Sequence, residues 1–177
     1  MLLMFNVILA MDNNNGIGSD NSLPWYFSQD LKLFKTLTTN NVPFQKNIVI
    51  MGRKTMETIP NKFLSERINI VISRSDNITN KNVKFVKSFS EALNLAYSVN
   101  GIHSQNIWVI GGAEIYNLAF RHRDLNKIYY SKIDSTFKCD TFVKLPKHKI
   151  LNFYQYDDIN KNDQKIYKLK YIQLNLI

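Results

Sequence analysis

Short apolar runs alternate with amphipathic stretches along the first two thirds of this chain. Runs at 5–11 (FNVILAM), 48–51, 68–72, 83–86 and 107–110 read as strands, several apolar enough to be buried on both faces. Between them, segments 28–38, 54–59, 89–99 and 113–120 have helical spacing. Leu31, Phe34 and Leu37, three residues apart, predict an inward face for the first helix. This alternation predicts an α/β fold: a mostly parallel twisted β-sheet flanked by about four helices. The last third changes character. Segments 127–133, 150–158 and 165–176 read as strands with no helices between them, which predicts an antiparallel C-terminal edge. No repeat, linker or break in composition divides the chain, so a single domain over 1–177 is expected.

The glycines sharpen this picture. Of the six present, five fall at three strand ends: Gly16 and Gly18, then Gly52, then Gly111 and Gly112. Glycine is costly to order and useful where the backbone needs positive φ or close approach. Ile48-Val-Ile-Met-Gly52-Arg-Lys-Thr55 ends a strand and opens a helix with two cations and a hydroxyl. Ile107-Trp-Val-Ile-Gly111-Gly112-Ala-Glu-Ile-Tyr116 does the same with a double glycine. A helix N-terminus offers unpaired N–H groups and partial positive charge to a phosphate. Two such seats in one small domain suggest a dinucleotide, although neither matches G-x-G-x-x-G. Ordinary βα turns, where glycine is common, account for the same pattern.

One carboxylate stands out. Asp30 shares a helical face with Phe27, Leu31 and Phe34, and a carboxylate facing a core is expensive unless paired. It either binds the N–H groups of a ligand or works as an acid or base with a raised pKa. The plainer alternative has Ser28 capping the helix and Asp30 complementing its dipole. His103, His122 and His148 have no metal-ligand spacing among themselves or with Cys139. Trp25 and Trp108 suit a core, and neither a Ser–His–Asp arrangement nor a nucleophile elbow can be read.

Composition adds boundaries rather than identity. The chain has 177 residues, a formal charge of +9 and Cys139 as its single cysteine. One cysteine allows no disulfide framework and fits a reducing, cytoplasmic setting. No apolar run approaches the ~20 residues of a membrane span. The opening MLLMF lacks a basic leader and a cleavage site, so it reads as the approach to the first strand. The lysines are scattered rather than gathered on one face, which reads as a compositional bias toward Asn, Lys and Ile with a ligand-sized basic site rather than a nucleic-acid surface. Charge alone decides nothing.

Taken in order, these motifs resemble the dihydrofolate reductase family over essentially the whole chain. The resemblance rests on Ala10, Gly16-Ile-Gly18, Leu23-Pro24-Trp25, Asp30-Leu31 with Phe34, and Ile50-Met-Gly-Arg-Lys-Thr55. It continues through Ile59-Pro60, Leu64, Arg67, Ile70 to Arg74, Ile110-Gly-Gly-Ala-Glu-Ile-Tyr116 and Asp140-Thr141-Phe142. It implies NADPH-dependent reduction of 7,8-dihydrofolate to 5,6,7,8-tetrahydrofolate, by hydride transfer to pterin C6 with solvent-mediated protonation at N5. The product would feed one-carbon and thymidylate metabolism.

The resemblance also implies roles. Asp30, Trp25, Leu23, Ser131 and Tyr116 would form the catalytic set. Asp30 would accept hydrogen bonds from the pterin's 2-amino group and adjacent ring nitrogen, with the loop around 16–23 gating solvent. The carbonyls of Ile8 and Ile110 would line the pterin pocket, Leu31, Phe34, Ile59 and Leu64 would wall it, and Arg67 would pair with the tail α-carboxylate. The cofactor would lie against Ala10, Ile17, Gly18, Gly52, Arg53, Lys54, Thr55, Gly111, Gly112, Ala113, Glu114, Ile115 and Tyr116. Ser73, Arg74 and Lys87, with Ser88, would approach its 2′-phosphate. Relatives join the double glycine by a cis peptide. No metal is implied. The expected partners are dihydrofolate and antifolates such as methotrexate, with neither nucleic acid nor membrane. A monomer is expected, and a chain excised from or fused to thymidylate synthase stays open.

The chain departs from the family pattern in places. Ser131 stands where threonine is usual, Met56 where tryptophan is, and Glu66 where glycine is common before Arg67. Ala113 follows the double glycine, Glu114 adds a negative charge near the phosphates, and Val143-Lys-Leu-Pro146 replaces the usual Phe-Pro. Two rivals remain: a pyrimidine reductase on the same scaffold, disfavoured by Asp30 and Arg67, and a basic binding module without turnover.

Overall fold

The computed structural model describes residues 4–40, 42, 45–75, 80–100 and 106–176; His103 and Gly101 lie outside them. The apolar runs form strands as their patterning requires: β1 (Phe5–Met11), β3 (Ile48–Gly52), β4 (Ile68–Ile72), β5 (Val83–Val86) and β6 (Ile107–Val109). Two much shorter strands, β2 (Gly16–Gly18) and β8 (Thr141–Phe142), pair with each other beside the main sheet. The C-terminal third supplies β7 (Leu125–Ile133), β9 (His148–Asn160) and β10 (Lys165–Leu176). Among the described residues the main sheet has eight strands in the order β5-β4-β3-β6-β1-β7-β10-β9. It is parallel from β5 through β7 and antiparallel where β10 joins β7 and β9 joins β10.

Among the described residues four α-helices cover the sheet: α1 (Ser28–Thr38), α2 (Arg53–Thr58), α3 (Phe89–Asn100) and α4 (Ala113–Ala119). Because β1, β3 and β6 are sandwiched, alternate residues feed opposite cores. Val7, Ile50 and Val109 pack with Leu93, Ala96 and Ile115 from α3 and α4. Ile8, Val49, Met51 and Trp108 pack with Met56 of α2 and with Phe34 and Leu37 of α1. Truncating any of these fully buried aliphatics to alanine is worth about 2–5 kcal/mol.

The helix α1 differs from its sequence expectation. Phe34 and Leu37 turn inward, but Leu31 remains 39% exposed, and the fully buried residue is Thr38. Leu31 borders an open cleft, and a helix on a cleft shows the same spacing as one laid flat on a core. Ser28 does not cap. The cap residue is Phe27, with no side-chain cap bond, and the carboxylate of Asp158 on β9 accepts from the Gln29 N–H at 2.8 Å. By contrast, Ser88 and Glu91 form a capping box before α3: Ser88 Oγ accepts from the Glu91 N–H at 3.1 Å. Glu91 reaches back to the Lys87 N–H at 2.9 Å.

Candidate active site

The strand order places β6 between β3 and β1, so connections leave in opposite directions on either side of it. Crevices form at such a switch, beyond the carboxyl ends of the strands. A cleft of about 1670 Å³ opens there, lined from Ala10 near the end of β1, Gly52 at the end of β3 and Arg53 to Thr55 beyond it, Ser73 and Arg74 after β4, and Ile110 and Gly112 after β6. Nearly every residue singled out from sequence lines it: Ile8, Ile17, Gly18, Leu23, Trp25, Asp30, Leu31, Phe34, Ile59, Leu64, Arg67, Lys87, Ala113, Glu114, Ile115, Tyr116 and Ser131. Gly111 is the exception. It stands behind the wall, buried, with φ +106 and its carbonyl accepting from the Gly52 N–H at 2.7 Å. A Cβ at Gly111 would meet the Tyr116 ring at 2.7 Å, so both backbone and packing require glycine. The Gly111–Gly112 peptide is cis.

Asp30 lies on the first turn of α1, over β7 and β9. Its Oδ1 accepts a hydrogen bond from the Ser131 hydroxyl on β7. Burial pushes its pKa up and the nearby negative charge of Asp158 pushes the same way, while the Ser131 hydrogen bond opposes them. The start of α1 is tied to the end of β9. Besides the Asp158 cap, Asn160 Oδ1 accepts from the Tyr26 N–H at 2.8 Å and Phe27 bridges to Asn160. Sequence reasoning missed Asp158 and Asn160. They act from about 130 residues away, and local spacing carries no signal of that.

At the opposite wall, α2 and α4 begin at Gly52 and Gly112, both extended and without side-chain caps. The first-turn N–H groups therefore remain open to a ligand. With six and seven residues, these helices are too short for a large summed dipole, and the N–H groups themselves are the donors. A Cβ at Gly112 would come within 3.3 Å of Thr55 Oγ1, so glycine keeps the two junctions in close approach. Arg53 is engaged by Glu57 at 2.6 Å. Lys87 Nζ donates to the Arg74 carbonyl at 3.3 Å, and Ser88 spends its hydroxyl on the α3 cap. Thr58 and Arg121 also line the cleft and were not singled out from sequence, and His122, read there only as lacking metal-ligand spacing, lines it too.

Tyr116 is buried and donates its phenol proton to the Ile8 carbonyl at 2.9 Å. That carbonyl, expected to face a ligand, already has a partner. Burial pushes the Tyr116 pKa up, so it stays a neutral donor. Arg67, 9% exposed, is fixed by Nε to the Ser65 carbonyl at 2.9 Å and by Nη1 to Thr38 Oγ1 at 2.7 Å. Burial lowers its pKa, though it remains charged. The turn before it survives with Glu66 at φ +62, and Glu66 pairs with Lys35 at 3.2 Å on the surface.

The loop between β1 and α1 is anchored at its base. Buried Asp12 accepts from the Asn14 N–H at 2.9 Å, the Gly16 N–H at 2.7 Å and the Phe137 N–H at 2.9 Å. Higher up, Asp140 Oδ2 accepts from the Asp20 N–H at 2.7 Å. Among the described residues no cluster of metal-ligating side chains occurs, and no helix is long and apolar enough to cross a membrane.

Comparison with known proteins agrees with this geometry. Residues 4–176 match the family described as dihydrofolate reductase. The viral dihydrofolate reductase of Saimiriine herpesvirus 2 (strain 488) is 33% identical over 179 residues, covering 97% of this chain and 83% of that protein. The dihydrofolate reductase of Heliothis virescens is 37% identical over 144 residues, 77% of each chain. A bifunctional dihydrofolate reductase-thymidylate synthase of Daucus carota is 38% identical over 148 residues, 80% of this chain but 28% of that protein. The chain thus spans little more than a quarter of the bifunctional plant relatives it matches. The match nonetheless runs through all the strands of the sheet and both walls of the cleft, and the chain belongs to the dihydrofolate reductase family.

Proposed function

We propose that this chain reduces 7,8-dihydrofolate to 5,6,7,8-tetrahydrofolate with NADPH. The observation that carries the reading is Asp30: a carboxylate on the floor of an apolar cleft, hydrogen-bonded to Ser131 and facing the glycine junctions across it. Its free lone pairs suit the paired N–H donors on one edge of a pterin, a bidentate, charge-assisted match. Leu31, Phe34 and Ile59 exclude water from the ring faces. At the far end, the buried fork of Arg67 suits the α-carboxylate of the glutamate tail.

The junctions at Gly52 and Gly112 fit a dinucleotide, because their open N–H groups and Arg53, Lys54 and Thr55 suit a pyrophosphate. Ser73, Arg74 and Lys87, with Arg121 beyond the sequence-based set, suit the extra phosphate of NADPH over NADH. Bound there, NADPH supplies the hydride. The chain's own residues orient the acceptor. Asp30 holds the ring and, as an anion, favours a proton at N5, which makes C6 more electrophilic. Since the carboxylate grips the ring's far edge, that proton comes through solvent admitted past the 16–23 loop, where Leu23 is 51% exposed. Tyr116 stays neutral beside the expected nicotinamide site. Tetrahydrofolate for one-carbon and thymidylate metabolism would be the product, in a monomer acting alone or beside a thymidylate synthase. The basic surface serves two anionic ligands, with no nucleic acid or membrane partner.

The test mixes purified protein with NADPH and dihydrofolate and follows loss of reduced-nicotinamide absorbance, with and without methotrexate. The expected result is rapid oxidation that methotrexate blocks. A folded, NADPH-binding protein that leaves dihydrofolate untouched would overturn the reading in favour of another pterin or pyrimidine substrate.

A further inference from the structure

The surface beneath Asp30 is unusually rich in phenols. Cross-strand pairing sets Ser131 of β7 opposite Tyr171 of β10, and Tyr171 opposite Tyr154 of β9. One step along, Ile133, Leu169 and Tyr156 form the next row. Residues directly paired, or two apart on one strand, share a face, so Ser131, Tyr171, Tyr154 and Tyr156 all look toward α1. Their rings are in contact: Tyr154 to Tyr171 at 5.0 Å and Tyr154 to Tyr156 at 5.7 Å between centroids.

Tyr156 differs from the other phenols of this surface in one respect. Its hydroxyl oxygen is sealed from solvent and closes no hydrogen bond. A buried hydroxyl left unmade is costly, and native structures rarely keep one without a reason. Two acceptors lie near. The Tyr156 hydroxyl is close enough to Asp30 to favour its anion, and it interacts with Ser131. Ser131 spends its single proton on Asp30, so its lone pairs are free to accept.

We propose that Tyr156 is a positioning residue for Asp30, its hydroxyl completing a Tyr156–Ser131–Asp30 chain that fixes the carboxylate as an oriented anion. In such a chain each donor polarises the next. The link leaves the outer lone pairs of Asp30 for the ligand. This assignment rests on the proposed role of Asp30 in holding the pterin. The other groups facing Asp30 are Ser131 on β7, Tyr171 on β10, and Tyr154 and Asp158 on β9. Asp158 is committed to the Gln29 and Ile159 N–H groups at 2.8 Å each.

Tyr156→Phe tests this, because it keeps the ring among Trp25, Phe27, Ile133 and Leu169 and removes only the hydroxyl. The first readout is the pH midpoint of the Asp30 carboxyl carbon resonance in the ligand-free protein. Loss of the donor behind Ser131 weakens the Ser131 hydrogen bond to the anion and moves that midpoint upward, lowering the acid dissociation constant about threefold or more. The second is the Michaelis constant for dihydrofolate, which rises severalfold while the NADPH dissociation constant stays put. The third repeats Tyr156→Phe on an Asp30→Asn background, where the Michaelis constant for dihydrofolate no longer responds to it. An unmoved midpoint overturns the proposal whatever the substrate, as does an equal effect on the Asn background. A moved midpoint without change toward dihydrofolate upholds the link to Asp30 and counts instead against the folate reading.

Discussion

The two ends of the cleft handle charge in opposite ways. At the Asp30 end a single carboxylate is turned inward from the first turn of α1, with one hydroxyl as its hydrogen-bond donor and its pKa raised chiefly by burial. At the other end Arg53, Lys54, Arg74, Lys87 and Arg121 stand around the rim with open backbone N–H groups between them. In a desolvated setting one charge is worth several kcal/mol and cannot be replaced. On a wet rim each charge is worth about 1 kcal/mol or less, and the sum matters. The difference teaches where the proposed reaction would be brittle. Its chemistry would rest on one group, and cofactor affinity would be spread over many.

The strongest way to break this contrast is Asp30→Asn. Turnover near neutral pH should fall by about 100-fold or more, equivalent to ~3 kcal/mol, with the NADPH dissociation constant unchanged. Equal loss of both would mean that Asp30 does not belong to the pterin end. The same substitution should raise the melting temperature at pH 7. A carboxyl whose pKa is raised on folding binds more protons folded than unfolded, so its share of stability is intact below its ordinary pKa and is lost as pH rises through the folded value. Asparagine has no such loss. The stabilisation should therefore shrink toward acid pH, where both variants are neutral. A gain constant with pH would rule out desolvation as its source.

How far the sequence foretold the two ends differs for a physical reason. The cationic end is local: a strand, a glycine and the first helical turn are consecutive in the chain. Gly52 and Gly112 could therefore be read from spacing, and glycine scarcity made them visible. The position of Asp30 was legible too, as a charge on an apolar face. What holds it there was not. Asp158 and Asn160 hold the start of α1, and Tyr156 comes beneath it, through a sheet register set by the C-terminal hairpin. The inward face expected for Leu31 failed because cleft and core impose the same period on a helix. The strands β2 and β8, of three and two residues, are too short for any periodicity to show. The ordered resemblance to a family supplied the roles that local spacing alone left open.

A milder probe addresses the rim. Arg74→Ala should raise the Michaelis constant for NADPH about fivefold at low salt, matching ~1 kcal/mol for an exposed charge pair, and leave that for NADH unchanged. The penalty should fade as added salt shortens the Debye length from ~10 Å at 0.1 M to ~3 Å at 1 M. An effect that persists at high salt would mean that Arg74 is gripped in a dry pocket, and the contrast between the ends would weaken.

The smallest effect belongs to Glu66, which lies between the two regimes. It pairs with Lys35 on the surface and sits directly before the buried Arg67, close enough for its negative charge to act on that guanidinium, the proposed seat of the anionic tail. Removing that charge by Glu66→Gln frees Lys35 and should lower the Michaelis constant for dihydrofolate by about twofold, the scale of an exposed pair. A dihydropterin without the glutamate tail should show no change, because Asp30 and the apolar walls hold the ring regardless. Glu66→Gly asks a separate question of the same position. The backbone there is left-handed at φ +62, where glycine avoids the clash a side chain suffers. It should match the Gln variant toward dihydrofolate and add a slight gain in melting temperature. If Gly tightens dihydrofolate and Gln does not, the strained turn rather than the charge governs how Arg67 meets the tail.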